Sequence, residues 1–332
     1  MRLALFAALA ITAISFTAAR AVEPSPAPAP PRLGFPLACR IGQGCEIQHY
    51  VDRDEGPGMA DYHCGHRTEP AHNGIDIRLL DLSQMRRGVD VLAEAAGVVR
   101  AVRDGVADNV IGQPIPATQQ CGNRVAIDHG GGWMTDYCHL ERGTLTVKAG
   151  DAVRAGQAIG RVGLSGGTEF PHLHVSLQHV NTFVDPFAPA PGANPSCQSQ
   201  APMWAPQALA EMPYKAGAVL VAGLAGRPVG RPEIEEGGVP AFRASDPVLT
   251  IYTRVIGLEA RDQIEFVLVG PGGATLADRR LPPLPRDRDQ TEGSLAHARP
   301  AAGWPHGTYS GVVRVWRGGK AVIERRIAPL AI

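Results

Sequence analysis

Several things this chain of 332 residues lacks narrow what it can be. Lysine plus arginine and aspartate plus glutamate balance at 32 each, so no electrostatic footprint for nucleic acid is present. Beyond Leu3 to Phe16 no apolar run approaches the roughly 20 residues a spanning helix needs, which argues against a stable membrane span in the mature chain. Long helical periodicity is missing. Cys-x-x-Cys is missing, which weakens any cysteine-bound zinc. His-Glu-x-x-His is missing too, which removes a helix-borne histidine pair with its glutamate base.

What is present begins with a leader. Arg2, the apolar run to Phe16 and Ala19-Arg20-Ala21 read as a secretory signal over residues 1–21, predicting an exported protein, periplasmic or extracellular. Removing Arg2 and Arg20 leaves 30 basic against 32 acidic residues. Six cysteines then favour disulfides in an oxidising compartment. Many pairings are open; Cys121 with Cys138 comes first because they flank an apparent hairpin, with Cys39–Cys45 and Cys64–Cys197 as the remainder.

At roughly 150 residues per domain the length predicts two domains. A Pro/Ala-rich spacer spans 22–34. From 35 to 188, short β-rich runs alternate with glycine turns: Val89 to Val102, Asn123 to His129, Trp133 to His139, Leu145 to Val147, Ala158 to Val162 and His172 to Gln178. Residues 189–214 read as a connection. Residues 215–332 carry the alternation of an antiparallel β-sandwich, with a hairpin turning at Arg317-Gly-Gly-Lys320 and with His297 and His306 in loop-like sequence. The fold class is mainly all-β: an antiparallel sheet domain followed by a sandwich-like domain.

Three histidine patterns carry the chemistry. In His172-Leu-His174 the side chains leave one face of a strand about 7 Å apart. In His72-Asn-Gly-Ile-Asp76 a straight strand would hold the two ends about 13 Å apart, so sharing a metal requires a bend, which Gly74 would permit. The third is Tyr137-Cys-His139-Leu. Two imidazoles and a carboxylate form a mixed nitrogen and oxygen set of the kind catalytic zinc uses, with a position left for water.

These motifs resemble the M23 family of zinc metallopeptidases, the lysostaphin and LytM type. The likeness rests on His72-x-Gly-x-Asp76, Tyr137-x-His139-Leu, Gly150-Asp-x-Val-x-x-Gly156-Gln-x-Ile-Gly160 and Pro171-His172-Leu-His174, and covers about 35–188. It implies an antiparallel β-sheet groove, one zinc per chain on His72, Asp76 and His174, and catalytic roles for His139 and His172. It also implies peptidoglycan peptide as substrate. Either histidine could serve as general base, the other steadying the oxyanion. The polar loop from Gly163 to Phe170 departs from the commonest family spacing.

Other residues read more plainly. Gly163-Leu-Ser165-Gly-Gly matches a nucleophile elbow by letter, but Pro171 and a β-like run follow where a helix is needed. His129 belongs to the hairpin turn, and His49, His63, His66 and His179 read as surface residues. Asp52, Asp54, Glu55 and Asp61 read as a solvated loop rather than a calcium site. Two rival functions are a catalytically silent wall-binding or hydrolase-regulating relative, opposed by retention of all five site positions, and a biotinyl- or lipoyl-type carrier, in which Lys148 would be misplaced and the histidines unexplained.

Overall fold

The computed structural model describes residues 29–108, 114–189 and 201–332, so the leader, most of the spacer and Cys197 lie outside the described residues. In the first unit the elements run β1 (Cys45–His49), β2 (Ile75–Leu79), α1 (Leu82–Arg87), β3 (Asp90–Leu92), β4 (Gly97–Arg103), β5 (Asn123–Gly130), β6 (Trp133–Leu140), β7 (Ala152–Val153), β8 (Ala158–Arg161), β9 (His172–His179) and β10 (Thr182–Val184). One antiparallel sheet has the order β1-β2-β9-β6-β5-β4-β7, with β10 also paired to β9 and β3-β8 forming a separate ribbon.

The β5–β6 hairpin turns where Gly131 and Gly132 take φ of 60° and 83°, a pair of left-handed residues of the kind that matches strand twist. Both β1 and β2 are buried at every residue, so both of their faces are covered. Leu145 to Val147 forms no strand, contrary to the run expected there; Leu145 and Val147 instead pack as partly buried residues against the core. Leu33, Met203, Trp204, Ala208 and Met212 join that same core. Packing therefore begins ahead of Phe35. The described residues of the expected connection, including α2 (Pro206–Glu211), belong to the first unit rather than hanging between two.

The second unit comprises β11 (Ala218–Ala225), α3 (Arg231–Glu236), β12 (Val248–Leu258), β13 (Gln263–Val269), β14 (Thr275–Arg280), β15 (Arg288–Ala298), β16 (Thr308–Arg317) and β17 (Lys320–Ala331). Sheets β11-β12-β15 and β14-β13-β16-β17 enclose a core fed by alternate residues, such as Ile264, Phe266 and Leu268 from β13 and Tyr309, Val313 and Val315 from β16. The β16–β17 turn falls at Gly318-Gly319, both with positive φ. His297 lies within β15 rather than in a loop, because Val248–Leu258 offers it a complete antiparallel partner.

A polar seam joins the two units. Arg78 of β2 and Arg254 of β12 are fully buried and share Glu235, at 3.6 and 2.6 Å, while Arg254 also meets Glu292 at 3.0 Å and Arg78 meets Gln290 Oε1 at 2.7 Å. Charges out of water persist when partnered in this way. The Arg67 guanidinium adds a bond to the Lys215 carbonyl, and Gln48 Nε2 donates to the Asp289 carbonyl at 3.0 Å.

Candidate metal centre

Register sets the site. His49, Asp76 and His174 stand side by side across β1, β2 and β9, with Cys138 of β6 next in the row. Directly opposed residues share a face of the sheet, so the first three side chains converge. His172 lies two residues earlier on β9, opposite Arg78, on that same face.

His72 sits before β2, which starts only at Ile75, so the chain reaches it through a turn that includes Ala71 at φ 61°. His72 Nε2 thereby comes 3.2 Å from Asp76 Oδ1. Gly74 is absent from the positive-φ glycines, so the bend does not draw on that freedom. Glycine is required there for closeness: a Cβ would stand 2.6 Å from His174 Cε1 and Nε2 and 2.7 Å from the Val175 carbonyl.

Three atoms face one another. His174 Nδ1 is 2.9 Å from Asp76 Oδ1, and His72 Nε2 is 3.2 Å from His174 Nδ1. Ligands about 2.0–2.1 Å from a tetrahedral ion would be spaced about 3.3 Å apart, so the triangle fits zinc. The tautomer fits as well: His72 Nδ1 donates to the Tyr50 carbonyl at 2.7 Å, leaving Nε2 with its lone pair turned inward. Burial would push Asp76 upward, but the surrounding histidines outweigh it and hold the carboxyl well below the usual range. At His72, burial pulls the pKa down, but the Asp76 carboxylate and the Tyr50 carbonyl together raise it, for a net rise.

His139 reaches the site through a β-bulge. Asn123 pairs with Leu140 and Val125 with Tyr137, so Cys138 and His139 together oppose Arg124, and His139 takes φ 63°. Such a bulge re-aims a side chain. The Cys121–Cys138 disulfide closes over it, and His139 N–H donates to the Cys121 carbonyl at 2.9 Å. The His139 ring centre lies 4.6 Å from that of His172 and 6.1 Å from that of His174. Burial, then the adjacent His172 and His174, drive its pKa well below the usual histidine value. Backbone carbonyls fix both candidate catalytic rings: His139 Nδ1 donates to Ser165 at 2.8 Å and His172 Nδ1 to Phe170 at 2.9 Å.

All five expected residues therefore line one groove of about 1150 Å³. Ser165 is buried, with its hydroxyl bonded to the Asn123 amide and the Leu140 carbonyl, so it supports this site and presents no nucleophile. His49 corrects the surface reading: it is 2% exposed and sits 3.0 Å from Asp76 Oδ2. Asp61 is likewise buried, accepting bonds from the amides of His63, Gly65 and Arg67, so it folds its loop instead of facing solvent. The far wall of the groove comes from the second unit, through Arg231 and residues 286–290. No local signal marks His49 or this wall, since both meet the site only through tertiary pairing. Cys39–Cys45 and Cys121–Cys138 are disulfides, and Cys64 is disulfide-bonded as well; its expected partner Cys197 lies outside the described residues.

Residues 71–186 match the model of peptidase family M23. Among curated proteins, the cell division protein DipM of Caulobacter vibrioides is 31% identical over 122 residues, 37% of this chain and 17% of that protein. The peptidoglycan DD-endopeptidase ShyC of Vibrio cholerae is 38% identical over 88 residues, 26% of this chain and 19% of that one. The matches thus span less than a fifth of either relative. The crystal structure of a zinc containing peptidase from Vibrio cholerae shares 24% identity over 46% of this chain and 39% of that one, with a TM-score of 0.32.

Proposed function

We propose that this chain, which carries a peptidase family M23 domain over residues 71–186, is an exported zinc metalloendopeptidase that hydrolyses peptide bonds of peptidoglycan. The observation that carries the reading is the triangle of His72 Nε2, His174 Nδ1 and Asp76 Oδ1 with two further imidazoles beside it in one groove. The named relative ShyC supports the substrate class.

His72, Asp76 and His174 would hold one zinc ion, which when bound supplies Lewis-acid polarisation of a carbonyl and acidifies water towards a pKa of about 7. The chain's own residues supply the proton traffic. His139 stays neutral at neutral pH because burial depresses its pKa, and with Nδ1 committed to Ser165 its Nε2 is the acceptor for the proton of the attacking water. The same nitrogen then returns the proton to the departing amine. His172, whose Nε2 lies 3.4 Å from Asp76 Oδ1, would serve the developing oxyanion in its doubly protonated form, Nδ1–H being held by the Phe170 carbonyl and Nε2–H donating into the groove.

The deciding experiment measures zinc content and hydrolysis of purified peptidoglycan for the mature protein, His174→Ala and His139→Ala. One zinc in the wild type, zinc lost in His174→Ala, and zinc kept with the rate down about 10²–10⁴-fold in His139→Ala is the expected pattern. Zinc bound without any cleavage would turn the reading to a wall-binding or regulatory protein, and no zinc would end it.

A further inference from the structure

The Asp76 carboxylate divides its two oxygens. Oδ1 faces His72 and His174, while Oδ2 is 3.0 Å from Nδ1 of the buried His49. On its other side His49 presents Nε2, a buried atom with no hydrogen-bond partner, whose nearest charged neighbour is Asp289 Oδ1 of the second unit, 3.7 Å away and within ion-pair range. Glu69 Oε1, half-exposed at the groove, also lies 3.0 Å from His49 Nδ1.

Resting on the zinc reading above, we infer that Asp289 is a positioning residue which acts on the metal carboxylate through His49. Asp289 is well placed to do so. Its own carbonyl accepts from Gln48, the residue before His49, and the next residue, Gln290, grips Arg78 on β2. The Arg78 guanidinium in turn lies 4.2 Å over the ring of Phe170, whose carbonyl holds His172. The start of β15 is thus pinned against the two strands that carry the site. A ligating carboxylate free to rotate loses its aim, and loss of an outer orienting partner typically weakens metal binding 10–100-fold. The second domain, on this account, completes the metal centre without touching the metal.

The test uses the full mature chain with His49→Ala, His49→Asn and Asp289→Asn, each checked for an unchanged melting profile. Zinc dissociation constants come from chelator competition, and kcat and KM are measured on peptidoglycan. His49→Ala should weaken zinc about 10–100-fold and lower kcat at limiting zinc with KM unchanged. His49→Asn should recover most of that loss, because its amide places a donor near the former Nδ1. Asp289→Asn should weaken zinc by a smaller factor, about 3–10-fold. Wild-type affinity in His49→Ala overturns the relay while leaving the peptidase reading intact. Wild-type affinity in Asp289→Asn alone removes the second domain from it. Two metals in the wild type, one lost in His49→Ala, would make His49 a ligand and overturn the inference, whereas a wild type that binds no zinc defeats the function and the relay together.

Discussion

Gly74→Ala is the smallest change that should disable the centre. The added methyl would sit 2.6 Å from two atoms of the His174 imidazole and 2.7 Å from the Val175 carbonyl, about 1 Å inside ordinary contact. The carbonyl belongs to the β2–β9 ladder and resists movement, so the ring has to give. Metal sites tolerate ligand displacements of only about 0.2 Å, and overpacking of a close-packed region costs about 1–3 kcal/mol. Expressed in zinc affinity, that is a loss of about 5- to 150-fold. Chelator competition at neutral pH reads it directly, with peptidoglycan hydrolysis at excess zinc as a second measure. Gly34→Ala is the control, since its Cβ would meet only the Glu94 carbonyl at 3.4 Å. If Gly74→Ala kept zinc affinity within twofold of wild type, the close approach would not be what glycine is there for, and the argument from contact distance would be wrong.

Three further outcomes are expected. Because the His72 pKa is raised in the metal-free site, zinc must displace a proton there, so affinity should fall as pH drops from above 6.5, by up to about tenfold per unit; a flat profile from pH 8 to 5.5 would refute this. Burial pushes the Glu94 carboxyl up to about 8 from 4.5, so its contribution to stability is intact below pH 4.5 and is lost as pH rises through 8. Glu94→Gln should therefore melt higher than wild type at pH 9, by on the order of 3–5 kcal/mol, with the gap closing by pH 5. Arg286 and Arg288 line the groove without an ion pair among the described residues, so Arg286→Glu with Arg288→Glu should raise KM about 3- to 10-fold for carboxylate-rich peptides and leave kcat alone, with neutral peptides unaffected.

The mainly β character is legible because it depends on short-range pattern, period-two alternation and glycine turns, and His-x-His puts His172 and His174 on one strand face. The set of five candidate positions comes from the family resemblance, and the fold brings them to one groove. The turn at Gly318-Gly319 follows from the same signals. At Gly74 the spacing shows the need for a bend, but not the approach of His174, a hundred residues on, which is what requires glycine there. His49 was missed because its partners come from β2 and β15, and no local pattern distinguishes a histidine that will be covered from both sides. Helix α3, which supplies Glu235 to the seam, is too brief for periodicity to reveal.

The shared grip of Arg78 and Arg254 on Glu235 bears on how this chain could be rebuilt. The first unit excised and grafted onto another module would leave Glu235 and Gln290 behind and carry the Arg78 guanidinium across the new joint without its carboxylate. A working chimera would need to bring residues 231–236 and 286–292 along with the first unit, or to replace Arg78 with a neutral side chain matched to the new face.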